Sequence, residues 1–155
     1  MFDSETVALL ESGCSLSVAT VGRHGAPHAS RGWGLTMLPD DNRVRLLLDA
    51  DDHTLRANLA GGGAIAVTGV AVPTLRAVQL KGSANEPVAT SDPDDLARAA
   101  RHVDNFFSDV SRMEGTPAAL LERLRPASFA ACTVTVTEVY DQTPGPAAGS
   151  PLRTP

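Results

Sequence analysis

The residues of this chain that could do chemistry are few, and their spacing excludes more than it permits. Four histidines, His24, His28, His53 and His102, are scattered, with no carboxylate or cysteine partners at metal-ligand spacing. Cys14 and Cys132 stand alone, without metal-like neighbours and without a disulfide framework. Ser15, Ser17 and Ser30 lack the Gly-x-Ser-x-Gly context of a hydrolase nucleophile. Gly61-Gly62-Gly63 precedes a strand, the wrong order for a nucleotide phosphate loop. Asp40-Asp41 and Asp94-Asp95 read as a turn and a helix start, so they make no carboxylate pair for acid-base work. What remains is binding chemistry. Arg31 can contact a phosphate or neutralise nearby acids, and Gln79 and Lys81 share one face of a strand.

The stretch from Cys14 to Met37 must position most of these groups. Ser15–Val21 alternates small or polar residues with Leu16 and Val18, Gly22-Arg23-His24-Gly25 supplies a turn, and Pro27 opens a second extended run. Strict alternation puts His28, Ser30, Gly32 and Gly34 on one face, and Ala29, Arg31, Trp33, Leu35 and Met37 on the other. Two glycines beside Ser30 and His28 would leave a shallow floor for a flat ligand; the competing reading is a barrel corner where another strand crosses closely. Trp33, the only tryptophan, reads as packing more readily than as ring stacking. His28 faces either a cleft or solvent, His24 is exposed in its turn, and His102 falls on the polar side of a helix.

The remaining elements follow in order. Asp3 caps a helix to about Ser12, with Phe2 and Val7 as a staple and Gly13 as the stop. Pro39-Asp40-Asp41-Asn42 turns the chain into a strand at Arg43–Asp49, with Val44, Leu46 and Leu48 on one face. A short helix spans Thr54–Ala60, followed by strands at Ala64–Val70 and Thr74–Ala84. Asp92-Pro93-Asp94-Asp95 starts a long amphipathic helix, and a shorter helix covers roughly Pro117–Leu124. A last strand runs from Ser128 to Asp141, and the Pro/Gly/Ala-rich tail beyond it cannot hold regular structure. Its Pro-rich character suits an arm that crosses onto a partner subunit; the competing reading is a frayed end. Many short strands, few helices and short connections imply an antiparallel, mainly β barrel or sandwich with flanking helices.

Bulk composition narrows the function classes. At 155 residues the chain suits one domain, with residues 1–141 as the body and 142–155 as the arm. A formal charge of −5 argues against a broad nucleic-acid or anionic-membrane surface. Aromatic residues are scarce, so base-stacking platforms are not evident. No apolar run reaches membrane-spanning length and no signal peptide is recognisable, which leads to the expectation of a cytoplasmic protein.

The order of elements and several local strings together resemble the pyridoxamine 5'-phosphate oxidase-like family of FMN-binding split barrels. The strings are Leu9-Leu10-Glu11; Gly25-Ala26-Pro27-His28-Ala29-Ser30-Arg31; Val44-Arg45-Leu46-Leu47-Leu48; His53-Thr54-Leu55-Arg56-Ala57-Asn58-Leu59; Gln79-Leu80-Lys81-Gly82-Ser83-Ala84; and Val139-Tyr140. The resemblance covers roughly Asp3 to Asp141. It implies a six-stranded, antiparallel, Greek-key-like split barrel that forms a homodimer and holds FMN, or in some branches the deazaflavin F420, between the subunits. Some such proteins bind haem instead. Carried over, Ser30, Arg31, Gly32 and Trp33 match the strand beside the flavin and its ribityl phosphate. His53 and Thr54 match the start of the short helix that receives the phosphate, with Arg56 as the one base there, where relatives usually carry an Arg or Lys pair. Gln79 and Lys81 match the strand lining the far side of the ring. The resemblance therefore implies a flavin-dependent oxidoreductase acting on a small molecule. The alternatives are an F420-dependent reductase of the same fold and a non-catalytic flavin- or haem-binding protein. No catalytic side chain is named, because the cofactor would carry the redox chemistry.

Overall fold

In the computed structural model, residues 2–39 and 42–153 are described; Asp40 and Asp41 of the expected turn, and the last two residues of the tail, lie outside them. The strands are β1 (Ser15–Val21), β2 (Pro27–Met37), β3 (Arg43–Asp49), β4 (Gly63–Val70), β5 (Ala77–Ala84), β6 (Val88–Ala89), β7 (Phe129–Asp141) and β8 (Pro151–Arg153). The helices are α1 (Ser4–Glu11), α2 (His53–Leu59), α3 (Pro93–Glu114) and α4 (Ala118–Leu121), the last running into a short 3-10 turn. Six strands, in the order β3-β2-β1-β4-β5-β7, close into an antiparallel barrel through pairing of β3 with β7. The first three form a meander, and the chain then crosses an end of the barrel through α2 to lay β4 beside β1.

Alternation fills the barrel. Leu16 and Val18 of β1, Val44, Leu46 and Leu48 of β3, Val67 of β4, Leu80 of β5 and Val134 of β7 are all buried in one cluster. Each such side chain contributes roughly 1.5–3 kcal/mol through burial. The two short helices plug opposite ends. Helix α1 sends in Leu9 and Leu10, with Asp3 capping it through a 2.7 Å bond from Thr6 N–H. Helix α2 sends in Leu55 and Leu59 at the far end of β1, where Asn58 donates to Thr20 at 3.0 Å.

Helix α3 begins where its sequence dictates, at the Asp92 cap with Pro93 in the first turn, and lies over the outer face of β2. Its Val103, Phe106 and Phe107 cover Trp33, which meets Phe107 edge-on at 6.3 Å. Arg45 of β3 donates to Asp95 through Nε at 2.7 Å, fastening the start of α3 to the barrel. Asp95 also accepts from Thr90.

Four expectations need correction. A bulge between Gly32 and Gly34 breaks the alternation in β2, so the two glycines do not share a face. Gly32 points into the barrel, where a Cβ would come within 2.9 Å of Leu16 Cβ; Gly34 faces α3, and Leu35 turns inward against Leu46. The flat-ligand floor therefore does not exist on β2, and the close strand approach is the correct account. The second correction is His102, which is not on a solvated face of α3 but 4% exposed on its buried side. The third is the tail. A turn over Gly145–Gly149 folds it back, and β8 pairs with β7 of the same chain. The fourth is small: β5 starts at Ala77 because Thr74 and Leu75 belong to a turn, Leu75 adopting a φ of 59°.

Candidate functional site

The closed sheet carries a groove of about 450 Å³ on its outer surface, over β1, β4 and β5 and reaching the end of β7. Strand register builds it. One row of paired residues runs Arg31, Ser17, Thr68, Gln79, Tyr140 across five strands; the next runs Ala29, Ala19, Ala66, Lys81, Glu138. Ala19, Ala64 and Ala66 floor the groove, with Val21 at its rim and Lys81, Thr137 and Glu138 along one side. Their inward neighbours Leu16, Val18, Ile65 and Val67 are core, so these small side chains must face out.

The polar side chains along and beside the groove are partly fixed. Gln79 Nε2 donates to Thr68 Oγ1 at 2.9 Å, which holds the amide plane and leaves its carbonyl free to accept. Lys81 Nζ lies 4.7 Å from the centre of the Tyr140 ring, and the Tyr140 hydroxyl donates to Glu138. That bond to an anionic acceptor raises the Tyr140 pKa. Arg31 occupies the same outward face three strands from Gln79, about 14 Å along the sheet at normal strand spacing. Its guanidinium lies 5.1 Å from the Phe106 ring and donates to Ser15 Oγ at 3.3 Å, and no carboxylate pairs with it among the described residues. Burial without an anion lowers its pKa.

Strand register thus brings Arg31, Gln79 and Lys81 onto one face. The other candidates lie elsewhere. Gly32 is inside the barrel, and Trp33 is buried under α3. Ser30 faces inward at the α2 end, where its hydroxyl bonds Asp52. His53 and Thr54 are exposed on the first turn of α2, and Arg56 is half-buried, with an Nε that has no partner among the described residues.

That first turn already holds an anion of its own. Asp52 caps α2, accepting from Leu55 N–H at 2.9 Å, and lies 3.0 Å from His28 Nε2. Burial alone would raise the Asp52 pKa, but bonds from Ser30, Leu55 N–H and His28 outweigh it and hold the carboxyl below its ordinary value. Cys14 and Cys132 are buried and unpaired, and burial pushes each thiol up to about 12, which leaves them inert. No group of residues suited to holding a metal occurs among the described residues, and no helix there is long and apolar enough to cross a membrane.

The groove floor is what sequence reasoning missed. Its signal was present in the small outward residues Ser17, Ala19, Ala64, Ala66 and Thr68 of β1 and β4, but only the strand order makes them neighbours.

Solved structures with this architecture identify the fold. The chain is similar to HupZ of Group A Streptococcus at 19% identity and a TM-score of 0.57, covering 96% of this chain and 100% of that one. It is also similar to a Lactobacillus delbrueckii protein provisionally assigned as a pyridoxamine 5'-phosphate oxidase, at 18% identity and a TM-score of 0.53, covering 90% and 93% of the two chains. The fold is the pyridoxamine 5'-phosphate oxidase-like split barrel. No family model and no curated protein matches the sequence. Within the split barrel, the groove over β1, β4 and β5 is the surface where small outward side chains and polar margins converge.

Proposed function

We propose that this split barrel is a flavin-class oxidoreductase acting on a small molecule, with the cofactor ring lying along the outer groove and a second copy of the chain closing over it. The observation that carries this reading is the floor of Ala19, Ala64 and Ala66, which lets a planar ring approach the sheet, with Lys81 at its margin and Gln79 in the adjoining row. Among the described residues only strand residues line this groove, and Val21 is 45% exposed at its rim, which favours a second barrel as the cover.

Ring and phosphate fit differently. The resemblance in sequence implies that the FMN phosphate sits at His53 and Thr54, yet the Asp52 carboxylate already caps that turn and would repel a dianion. FMN with its phosphate at α2 therefore does not fit these residues. Arg31, unpaired and on the same face as the groove, is the cation left to hold an anionic tail. F420 stays as the alternative because the mismatch concerns the phosphate and not the ring. The haem reading is weaker, since none of the groove-lining residues is a histidine.

A bound flavin-class group supplies the redox chemistry itself. The protein's part is to seat it: alanines exclude water from one face, Gln79 offers a fixed carbonyl, and Lys81 places positive charge at the margin. The test is titration of the purified protein with FMN, F420 and haemin, followed by absorbance and fluorescence, with molar mass from light scattering. Saturable uptake of FMN or F420 by a dimer is the expected result. A monomer, or a dimer that takes neither, overturns the reading; a Soret band with haemin alone replaces it with haem binding.

A further inference from the structure

Between α1, β2 and α3 lies a second cavity, smaller and more enclosed than the groove, of about 190 Å³. Glu11, Gly34, Leu35, Arg98, Arg101 and His102 line it. We propose that this cavity binds a small oxyanion, a phosphoryl or carboxylate group, held by the guanidiniums of Arg98 and Arg101, with the His102 imidazole as a further donor. The proposal does not rest on the cofactor reading.

The charges point that way. Neither Arg98 nor Arg101 forms an ion pair among the described residues. Asp95, whose carboxylate feels the charge of Arg98, is engaged by Arg45 and Thr90. Glu11, the one acid lining the cavity, accepts the Met37 N–H at 2.8 Å. Arg31 adds positive potential from beside His102. Two arginines line a pocket of this size, and a planar guanidinium fork suits the oxygens of a phosphoryl or carboxylate group.

His102 supplies a second, separate observation. It is 4% exposed, yet no hydrogen bond to its ring occurs among the described residues. Its ring nitrogens are not among the fully enclosed unpartnered atoms, so a ligand in the cavity can reach the imidazole. Burial, then Arg31, lowers its pKa to about 4, so near neutral pH it presents one N–H donor. The bulge in β2 completes the pocket. It turns position 34 outward, where a Cβ would approach Leu47 Cδ1 to 3.1 Å and Arg98 Cγ to 3.6 Å. Glycine at this position leaves that space open.

The test is calorimetric titration of the full chain with inorganic phosphate and, separately, with malonate, at constant ionic strength. The His102 ring signals are followed by NMR in parallel. Saturable binding that shifts those signals is expected, phosphate or malonate revealing whether a phosphoryl or a carboxylate group is preferred. Arg98→Gln and Arg101→Gln should each weaken binding about tenfold or more, whereas Arg23→Gln in the exposed β1–β2 turn should leave it unchanged. Far-UV circular dichroism checks that the variants fold, and the wild-type His102 signals report binding without any variant. No saturable binding of either anion, unmoved His102 signals, or wild-type affinity in the double arginine variant would overturn the proposal.

Discussion

Asp52 meets His28 at 3.0 Å across the α2 end of the barrel, and the same carboxylate caps the helix through Leu55 N–H. One side chain thus joins β2 to α2 and fills the helix start with negative charge. A helix N-terminus attracts anions through its free N–H groups and its partial positive charge. Here the chain provides that anion itself, so an external phosphate is directed elsewhere.

Replacing Asp52 separates the two roles. Asp52→Ala removes the cap and should lower stability by about 1–2 kcal/mol in urea denaturation. Asp52→Ser keeps a capping oxygen and removes the charge, so stability should fall by less, while FMN affinity, read by flavin fluorescence quenching, should stay within about twofold of wild type because the phosphate lies away from α2. A gain of about tenfold or more in Asp52→Ser would instead place the phosphate at the start of α2. The pH dependence has a definite sign. The folded-state pKa of Asp52 is lowered, so its contribution is present above the ordinary carboxyl range and is lost as pH falls from about 4 through the folded value.

Arg45 and Asp95 offer a second test, of the link between barrel and α3. Asp95 is 4% exposed, and the bond from Arg45 is the main reason its pKa is lowered. Arg45→Met leaves that carboxylate buried with Thr90 as its remaining side-chain partner, and should cost about 2 kcal/mol at pH 7. The loss should shrink on acidification toward and below the ordinary carboxyl pKa, as the bond loses its charge. A loss independent of pH would mean that Arg45 acts through packing alone.

His102 predicts an acid limb of its own. Burial, with help from Arg31, lowers its pKa from 6.5 to about 4, so the unfolded chain takes up the proton first. Its effect on stability is nil above pH 6.5 and grows destabilising as pH falls toward 4, reaching on the order of 3 kcal/mol. His102→Phe should flatten that limb in urea denaturation between these pH values. A bound oxyanion would raise the His102 pKa, so excess phosphate should flatten it as well if the cavity beneath α3 binds one.

The barrel and its helices were legible in the sequence because local signals agreed with the fold. The inward row of Val44, Leu46 and Leu48 in β3, the Asp92-Pro93 start of α3 and the Asp3 cap of α1 each appear where their chemistry directs. The site was less legible. A bulge at Gly32 and Gly34 inverts the alternation midway through β2, and periodicity alone does not announce a bulge. The burial of His102 depends on how α3 sits over β2, and the groove depends on which strands become neighbours. Both are long-range facts that no local pattern contains. Arg31, Gln79 and Lys81 could be named from the resemblance, but the alanines between them could not.

Those alanines give the last prediction. Ala66 lies in the middle of the floor, paired with Ala19 on one side and Lys81 on the other, and its side chain points away from the core. Ala66→Trp should therefore fold, with stability within about 1 kcal/mol of wild type, because nothing inside the barrel has to move. The same indole would occupy the floor and exclude a planar ring. Binding of FMN or F420 should fall below detection in fluorescence titrations, whereas Ala97→Trp on the exposed side of α3 should leave it intact. If the Ala66→Trp protein folds and still takes up the cofactor with wild-type affinity, the ring does not lie on this face. The contrast between the two variants distinguishes a blocked groove from a general effect of adding an indole to the surface.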